Sequence, residues 1–208
     1  MTTIERYIIL CGTAYHLNGV PRQLSVIRGE RILDRTIRLL RENGITDIMV
    51  TATDDAFYDP DIDVPVIGYD SSGDWVNCFY PSKAPACYIF GDVYFSEQAI
   101  KTIVETQTDG IQFFASAPPF ASNYSKPYAE PFAFKVVDQE HFRNSIETVK
   151  DNKRKNLWNR EPLAWELWQI IKNTKLNEID YHNYISINDY TCDIDDEGDI
   201  IRMEEYLQ

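Results

Sequence analysis

The chain has 208 residues, of which 44% are apolar and 25% charged, with a net charge of −13 at pH 7. That length and balance suit one soluble domain, residues 1–208, with a sizeable core. So acidic a surface repels nucleic-acid backbone and anionic membrane, so neither is an expected partner, although carboxylates can hold metal ions and through them anionic substrates.

No run of about 18 apolar residues is present, so no membrane span is expected. The start, "MTTIERYIILCG", lacks the charged opening and long apolar centre of a signal peptide. Cys11, Cys78, Cys87 and Cys192 form no CxxC pair, so free thiols in a cytoplasmic protein are the expectation. His16, His141 and His182 are not spaced as zinc ligands.

In chain order, strand-like and helix-like segments alternate. "YIILCG" (7–12) is a short apolar run ending in glycine, which predicts a buried strand. "RILDRTIRLLREN" (31–43) sets Leu33, Ile37 and Leu40 at helical spacing, and Gly44 supplies a stop. "TDIMVTAT" (46–53) predicts a second strand. Residues 54–85 are rich in Asp, Pro and Gly and predict loops around short strands such as "VPVIGY". "ACYIFGDVYF" (86–95) predicts one further buried strand. It is followed by a helix capped by Ser96, with Ala99, Ile100, Ile103 and Val104 inward.

"IQFFASA" (111–117) and "FAFKVVD" (132–138) predict strands. "QEHFRNSIETVKDNK" predicts a helix with Phe142, Ile146 and Val149 on one face, its basic end a solvated helix terminus. "EPLAWELWQIIKN" (161–173) predicts a helix with Pro162 near its first turn, where a missing N–H costs little. Trp158, Trp165 and Trp168 cannot all share a helical face, so one of them is a candidate for a pocket or subunit contact. "YISI" (184–187) and "TCDID" (191–195) read as extended, and "EGDIIRMEEYLQ" closes as a helix with Ile200, Met203 and Leu207 inward.

This alternation predicts a three-layer, Rossmann-like α/β fold with a mixed, mostly parallel sheet and helices on both faces. In such sheets ligands sit beyond the carboxyl ends of the strands. That rule selects the loop after residue 10, the turn at Gly91-Asp92, and the carboxylates from Asp193 to Asp196. The loop "LCGTAYHLNGVPRQL" can present backbone N–H groups to phosphate, with Arg22 as a neutralising cation and His16 as a helper. It matches neither GxxxxGK[ST] nor GxGxxG, and by itself a plain connection is the better reading.

"YIFGDV" puts Asp92 at a strand end, where a carboxylate can hold Mg²⁺ or cap the next segment. In "CDIDDEGD", alternation puts Asp193 and Asp195 on one strand face and Ile194 on the other. Asp196 and Asp199 read as caps of the last helix, and Asp193 or Asp195 as a candidate metal ligand. "YSKPYAEPFAF" could be a lid with Lys126 reaching a phosphate, though a rigid loop is the favoured reading.

In this order the pieces resemble the nucleotidyltransferases that activate sugar phosphates and phosphocholine, proteins of the GT-A-type fold. "PRQL", "GERILDRTIRLL" and "NGITDIMV" are similar to that family's opening, "YIFGDVYFS" to its metal-aspartate strand, and "CDIDDEGDIIRMEEYL" to its ending. The stretch "WVNCFYPSKAPACYIFGDVYF" resembles the phosphocholine cytidylyltransferase branch, which places Asn77 near the nucleoside and favours cytidine as the base.

The resemblance implies attack by a phosphorylated small molecule or sugar phosphate on the α-phosphorus of a nucleoside triphosphate, with pyrophosphate released. The setting would be the making of surface polysaccharide or a related conjugate. Leu10, Gly12, Thr13, Ala14 and His16 would wrap the triphosphate, Arg22 would act catalytically where the family has lysine, and Asp92 and Asp195 would hold Mg²⁺, with Asp193 the alternative ligand. The family's AAGxGxR becomes a shorter "CGTAYHL" lacking the second glycine, and arginine at 22 puts a fork in place of a point charge.

Two other classes stay open. A glycosyltransferase of the same architecture would carry a D-x-D pair, where this chain has "GDV". A non-catalytic nucleotide-binding homologue would fit the eroded loop. The aromatic segments 120–134 and 157–168 are candidate contacts of a homo-oligomer.

Overall fold

A computed structural model describes residues 3–12, 16–70, 75–116, 129–158, 161–175 and 182–208. In chain order it has β1 (Arg6–Cys11), a hairpin of β2 (His16–Leu17) and β3 (Val20–Pro21), and a second hairpin of β4 (Val26–Ile27) and β5 (Glu30–Arg31). Then come α1 (Ile32–Glu42), β6 (Asp47–Ala52), β7 (Val66–Gly68), β8 (Ala86–Phe90), β9 (Val93–Tyr94), α2 (Glu97–Glu105), β10 (Ile111–Ala115) and β11 (Pro131–Val136). The rest is α3 (Gln139–Arg154), α4 (Ala164–Ile171), β12 (Ile185–Ser186), β13 (Cys192–Asp193) and α5 (Glu197–Tyr206).

The main sheet has seven strands in the order β12-β10-β11-β8-β1-β6-β7. Strands β8, β1, β6 and β7 run parallel, while β11 runs antiparallel to both β8 and β10. Alternation along β1 builds two cores. Tyr7, Ile9 and Cys11 pack with Leu33, Ile37 and Leu40 of α1 and Ile100 and Ile103 of α2. Ile8 and Leu10 face Phe142 and Ile146 of α3 and Trp165 and Trp168 of α4. The expected three layers and mostly parallel sheet are therefore present.

The helices end where their chemistry directs. Ser96 Oγ accepts from Ala99 N at 2.8 Å and caps α2. Gly44, at φ +83°, follows α1 as its left-handed stop. Asp196 and Asp199 form a reciprocal cap on α5, the Asp196 carboxylate accepting from Asp199 N at 3.0 Å. The basic end of α3 is solvated, with Lys153 paired to Glu161 at 2.6 Å.

Several expectations are corrected. The single strand expected over 86–95 is two strands. Gly91 N donates to Leu10 O at 3.0 Å, and a Cβ at Gly91 would lie 2.9 Å from that oxygen and 2.7 Å from Cys11 Sγ. The chain turns there, and β9 leaves the main sheet to pair antiparallel with β13. The helix expected from 161 begins at Ala164, with Pro162 next to its N-cap, Leu163, and so near the first turn as expected.

A hairpin stands within the expected connecting loop, and a second one follows it before α1. Asn18-Gly19 and Arg28-Gly29 all have positive φ, as a two-residue primed turn requires. Of the candidate lid, residues 124–128 with Lys126 lie outside the described residues, and Pro131 to Phe134 belong to β11. Trp165 and Trp168 are buried core residues, and Trp158 packs partly buried against the same core. No helix among the described residues is long and apolar enough to cross a membrane.

Candidate active site

A cavity of about 260 Å³ opens at the carboxyl end of the parallel strands. Its walls come from every part of the chain: Leu10 and Gly12 after β1, Arg22, Trp75 and Cys78, Phe90 and Asp92, Glu130 and Pro131, Leu163 and Ala164, and Asp193 and Asp195. Of the residues expected from sequence, Leu10, Gly12, Arg22, Asp92 and Asp195 meet here, as does the alternative ligand Asp193. His16 and Asn77 are not among the lining residues. His16 Nε2 lies 3.0 Å from an Asp54 carboxylate oxygen, and Asn77 Nδ2 donates to Asp70 O at 2.9 Å. Thr13 and Ala14 lie outside the described residues.

Backbone pairing brings the aspartates together. After the turn at Gly91, β9 registers Val93 against Asp193 and Tyr94 against Cys192, and Ile194 N donates to Asp92 O at 2.9 Å. Asp193 and Asp195 then face the cavity, while Ile194 is fully buried with Ile27, Ile32, Tyr94 and Met203. That third core ties the last helix to the second hairpin.

Arg22 follows the first hairpin and opens a short 3₁₀ turn, Arg22–Leu24, between buried Pro21 and buried Gln23. Its side chain reaches both aspartates. Nη2 donates to Asp92 Oδ2, and Nη1 donates to Asp195 Oδ1 at 2.6 Å. The side chains of Arg22 and Asp92 are 16% and 15% exposed, and that of Asp195 is 40% exposed. Burial works against the guanidinium charge, but the carboxylates of Asp92, Asp193 and Asp195 outweigh it and raise the Arg22 pKa. The charged form is therefore the one held there.

Gly12 has a local reason to be glycine, since a Cβ would stand 2.9 Å from Tyr69 Oη and 3.3 Å from Cys78 Cβ. Cys78 is itself fixed by Thr51, whose Oγ1 donates to Cys78 O at 2.8 Å. Burial raises the Cys78 thiol well above its usual range, with the Asp92 charge adding to it, so it lines the cavity as a neutral thiol.

Glu130 is the functional candidate that sequence reasoning missed. It is buried, and its Oε2 accepts from Asp193 N at 2.9 Å, tying β13 to the start of β11. The carboxyl-end rule passes over it because it precedes a strand. β11 is antiparallel to β8, so its amino end lies on the same rim as the carboxyl ends of its parallel neighbours. The signal available in sequence was an acidic residue set immediately before the Pro131 strand start.

Asp92 and Asp195 offer the hard oxygen donors that Mg²⁺ takes, usually one or two carboxylates completed by water and substrate phosphates. Both already converge on one cation, the Arg22 guanidinium, so the pair fits a cation between them. Among the described residues no three His, Cys, Asp or Glu side chains are gathered to hold a metal without such added ligands.

The fold is that of the nucleotidyltransferases, a Rossmann-like α/β architecture. No protein-family model and no curated protein sequence matches the chain. Among solved structures it is similar to the inositol-1-phosphate CTP transferase of T. maritima, at 12% identity and a TM-score of 0.61, covering 98% of this chain and 96% of that one. A Bacillus anthracis protein assigned as a glucose-1-phosphate thymidylyltransferase gives 13% identity and a TM-score of 0.61, over 97% and 94% of the two chains. HddC from Yersinia pseudotuberculosis gives 17% and 0.59, over 99% and 100%.

Proposed function

We propose that this chain transfers a nucleoside monophosphate from a nucleoside triphosphate to a phosphorylated small molecule. An oxygen of the acceptor phosphate forms a bond to the α-phosphorus. The bond from that phosphorus to the bridging oxygen of the β-phosphate breaks, and its electron pair leaves with pyrophosphate. The observation that carries this reading is the convergence of Asp92, Asp195 and Arg22 at the mouth of a rim cavity in a nucleotidyltransferase fold.

The chain's own residues supply position and charge. Arg22 neutralises phosphate oxygens, and its fork can contact two of them at once. Gly12 lines the cavity just beyond β1, where its backbone can meet a phosphate. Leu10, Trp75, Cys78 and Phe90 give the cavity an apolar wall that keeps water from competing with the acceptor. Asp92 and Asp195 would hold Mg²⁺, which when bound would spread the charge of the phosphates. No covalent intermediate with the protein is needed, so positioning and charge stabilisation account for the catalysis.

Proteins of this fold include a CTP transferase and one assigned as a thymidylyltransferase, so the fold serves more than one base. CTP is the first triphosphate to test, on the strength of the cytidylyltransferase-like stretch around Asn77. The experiment offers each of the four common triphosphates with Mg²⁺ and a panel of sugar phosphates and phosphocholine, and measures pyrophosphate. Release with one triphosphate, abolished by Asp92→Ala in a folded protein, is the expected result. A folded wild-type protein that releases none with any combination would overturn the reading. Stabilisation by a nucleoside diphosphate sugar alone would point to glycosyl transfer instead.

A further inference from the structure

We infer that Arg22 and a divalent cation are alternative occupants of one site, the space between the Asp92 and Asp195 carboxylates, and that Arg22 is displaced from it when the metal binds. The inference rests on the nucleotidyltransferase reading only for the fate of the displaced group, in which the freed guanidinium takes hold of the triphosphate.

The geometry carries the exclusion. The two guanidinium nitrogens go to different carboxylates, Nη2 to Asp92 and Nη1 to Asp195, so one planar group spans the pair. An ion bridging those carboxylates would need oxygens that the guanidinium now engages, and it would stand against a buried positive charge. The two cations cannot share the space. Arginine is suited to this in a way lysine is not, because its fork satisfies two separated acceptors while an ammonium is a single point.

The bridge also has a holding function. Asp92 and Asp195 line one small cavity and both reach the same guanidinium, and two carboxylates so placed repel one another. Arg22 offsets that repulsion while no nucleotide is bound. A metal-bearing triphosphate brings both a replacement cation for the carboxylates and an anionic partner for the arginine, so both can be exchanged together. The anchoring of Arg22 between buried Pro21 and Gln23 confines the exchange to its side chain.

The test uses Mn²⁺ as the probe and nucleotide-free protein, so it does not depend on turnover. Mn²⁺ binding is measured by electron paramagnetic resonance for wild type, Arg22→Gln and the double variant Arg22→Gln/Asp92→Asn, with circular dichroism as the fold check. Arg22→Gln should bind Mn²⁺ about tenfold more tightly than wild type or better, and the double variant should lose that gain. Equal or weaker binding in Arg22→Gln, binding by neither protein, or a gain that survives in the double variant would overturn the inference.

If Arg22→Gln fails to fold, Arg22→Lys takes its place, with tighter binding than wild type still expected because one ammonium cannot cap both carboxylates. The two readings fail separately. Tightened Mn²⁺ binding without pyrophosphate release from wild type would sink the nucleotidyltransferase reading and leave the exclusion standing. Pyrophosphate release with unchanged Mn²⁺ binding would do the reverse.

Discussion

Gly91 is the point at which one apolar run becomes two strands, and Gly91→Ala tests whether that break positions the site. The added Cβ would lie 2.7 Å from Cys11 Sγ, 2.9 Å from Leu10 O and 3.3 Å from Ile9 Cγ2. Carbon contacts settle near about 3.5–4.0 Å, so the first overlaps by roughly an ångström and the second by roughly half of one. The Leu10 carbonyl cannot easily yield, because it lies in the central strand and accepts from Gly91 N. Overpacking of this kind costs roughly 1–3 kcal/mol. Relief must come from Gly91-Asp92 moving outward, and a shift of about 1 Å in a positioned group can cost about a hundredfold in rate.

Urea unfolding should therefore show a loss of about 2 kcal/mol, and pyrophosphate release should fall about a hundredfold. Adding Cys11→Ala removes the sulfur overlap and leaves the carbonyl overlap, so it should restore part of the rate and not all of it. A Gly91→Ala protein with wild-type midpoint and wild-type rate would refute the reasoning.

Lys135→Met should destabilise the protein by about 3 kcal/mol in urea, since the buried Nζ bonds the carbonyls of Ile103, Val104 and Thr106 at 2.8, 2.8 and 2.7 Å and caps the end of α2. Unchanged or higher stability would mean that burying the ammonium costs more than those bonds return. Stability should also fall steeply in mild alkali. Burial pushes the Cys87 thiol up to about 12, with Lys135 only partly opposing it. Burial likewise raises Cys11 and Cys78, aided in both by the charge of Asp92.

A folded pKa above the unfolded value gives stability that is whole below about pH 8.5 and is lost as pH climbs towards the folded pKa. At pH 9.5 each thiol forfeits about 1.4 kcal/mol, or roughly 4 kcal/mol for the three. Lys135 acts in the other direction, because burial lowers its pKa, but it is one group against three. Urea midpoints at pH 7.5 and 9.5 check this, and equal midpoints would contradict it.

The layers were legible in the sequence because they rest on strong local patterns. β1 and β8 carry apolar runs, Tyr7 to Cys11 and Ala86 to Phe90, β6 has Ile48 to Val50 at its centre, and Leu33, Ile37 and Leu40 mark the inner face of α1. The features that sequence hides depend on contacts between distant segments. Asn18-Gly19 is a strong hairpin signal, but strands of two residues leave no periodicity to go with it. The departure of β9 follows from how close Gly91 lies to β1, which no local pattern encodes.

The site was legible in part for the same reason. Asp92 stands just beyond the end of β8, as the carboxyl-end rule expects, whereas Asp195 follows β13 of the small antiparallel ribbon and is brought to the same rim by its pairing with β9. Arg22 is legible as a neutralising cation. That it bridges the two could not be read from spacing. Glu130 was hidden by the direction of β11, and Trp75 by the single short 3₁₀ turn that carries it. The loop sequence sets His16 beside Arg22 as a helper toward phosphate, whereas its hairpin brings it to Asp54.

The ties that close the site span 70 and 173 residues, from Arg22 to Asp92 and from Arg22 to Asp195. Contacts so far apart in sequence are the slowest to gain in folding, since the intervening chain must be ordered first. The strands that hold Leu10 and Phe90 can pair early, but the cation cluster cannot form until β13 has docked on β9. Recovery of Mn²⁺ or nucleotide binding during refolding should therefore lag behind recovery of secondary structure. Binding would then serve as a clock for the final step of assembly, marking the moment at which the chain's distant parts come to share one electrostatic environment.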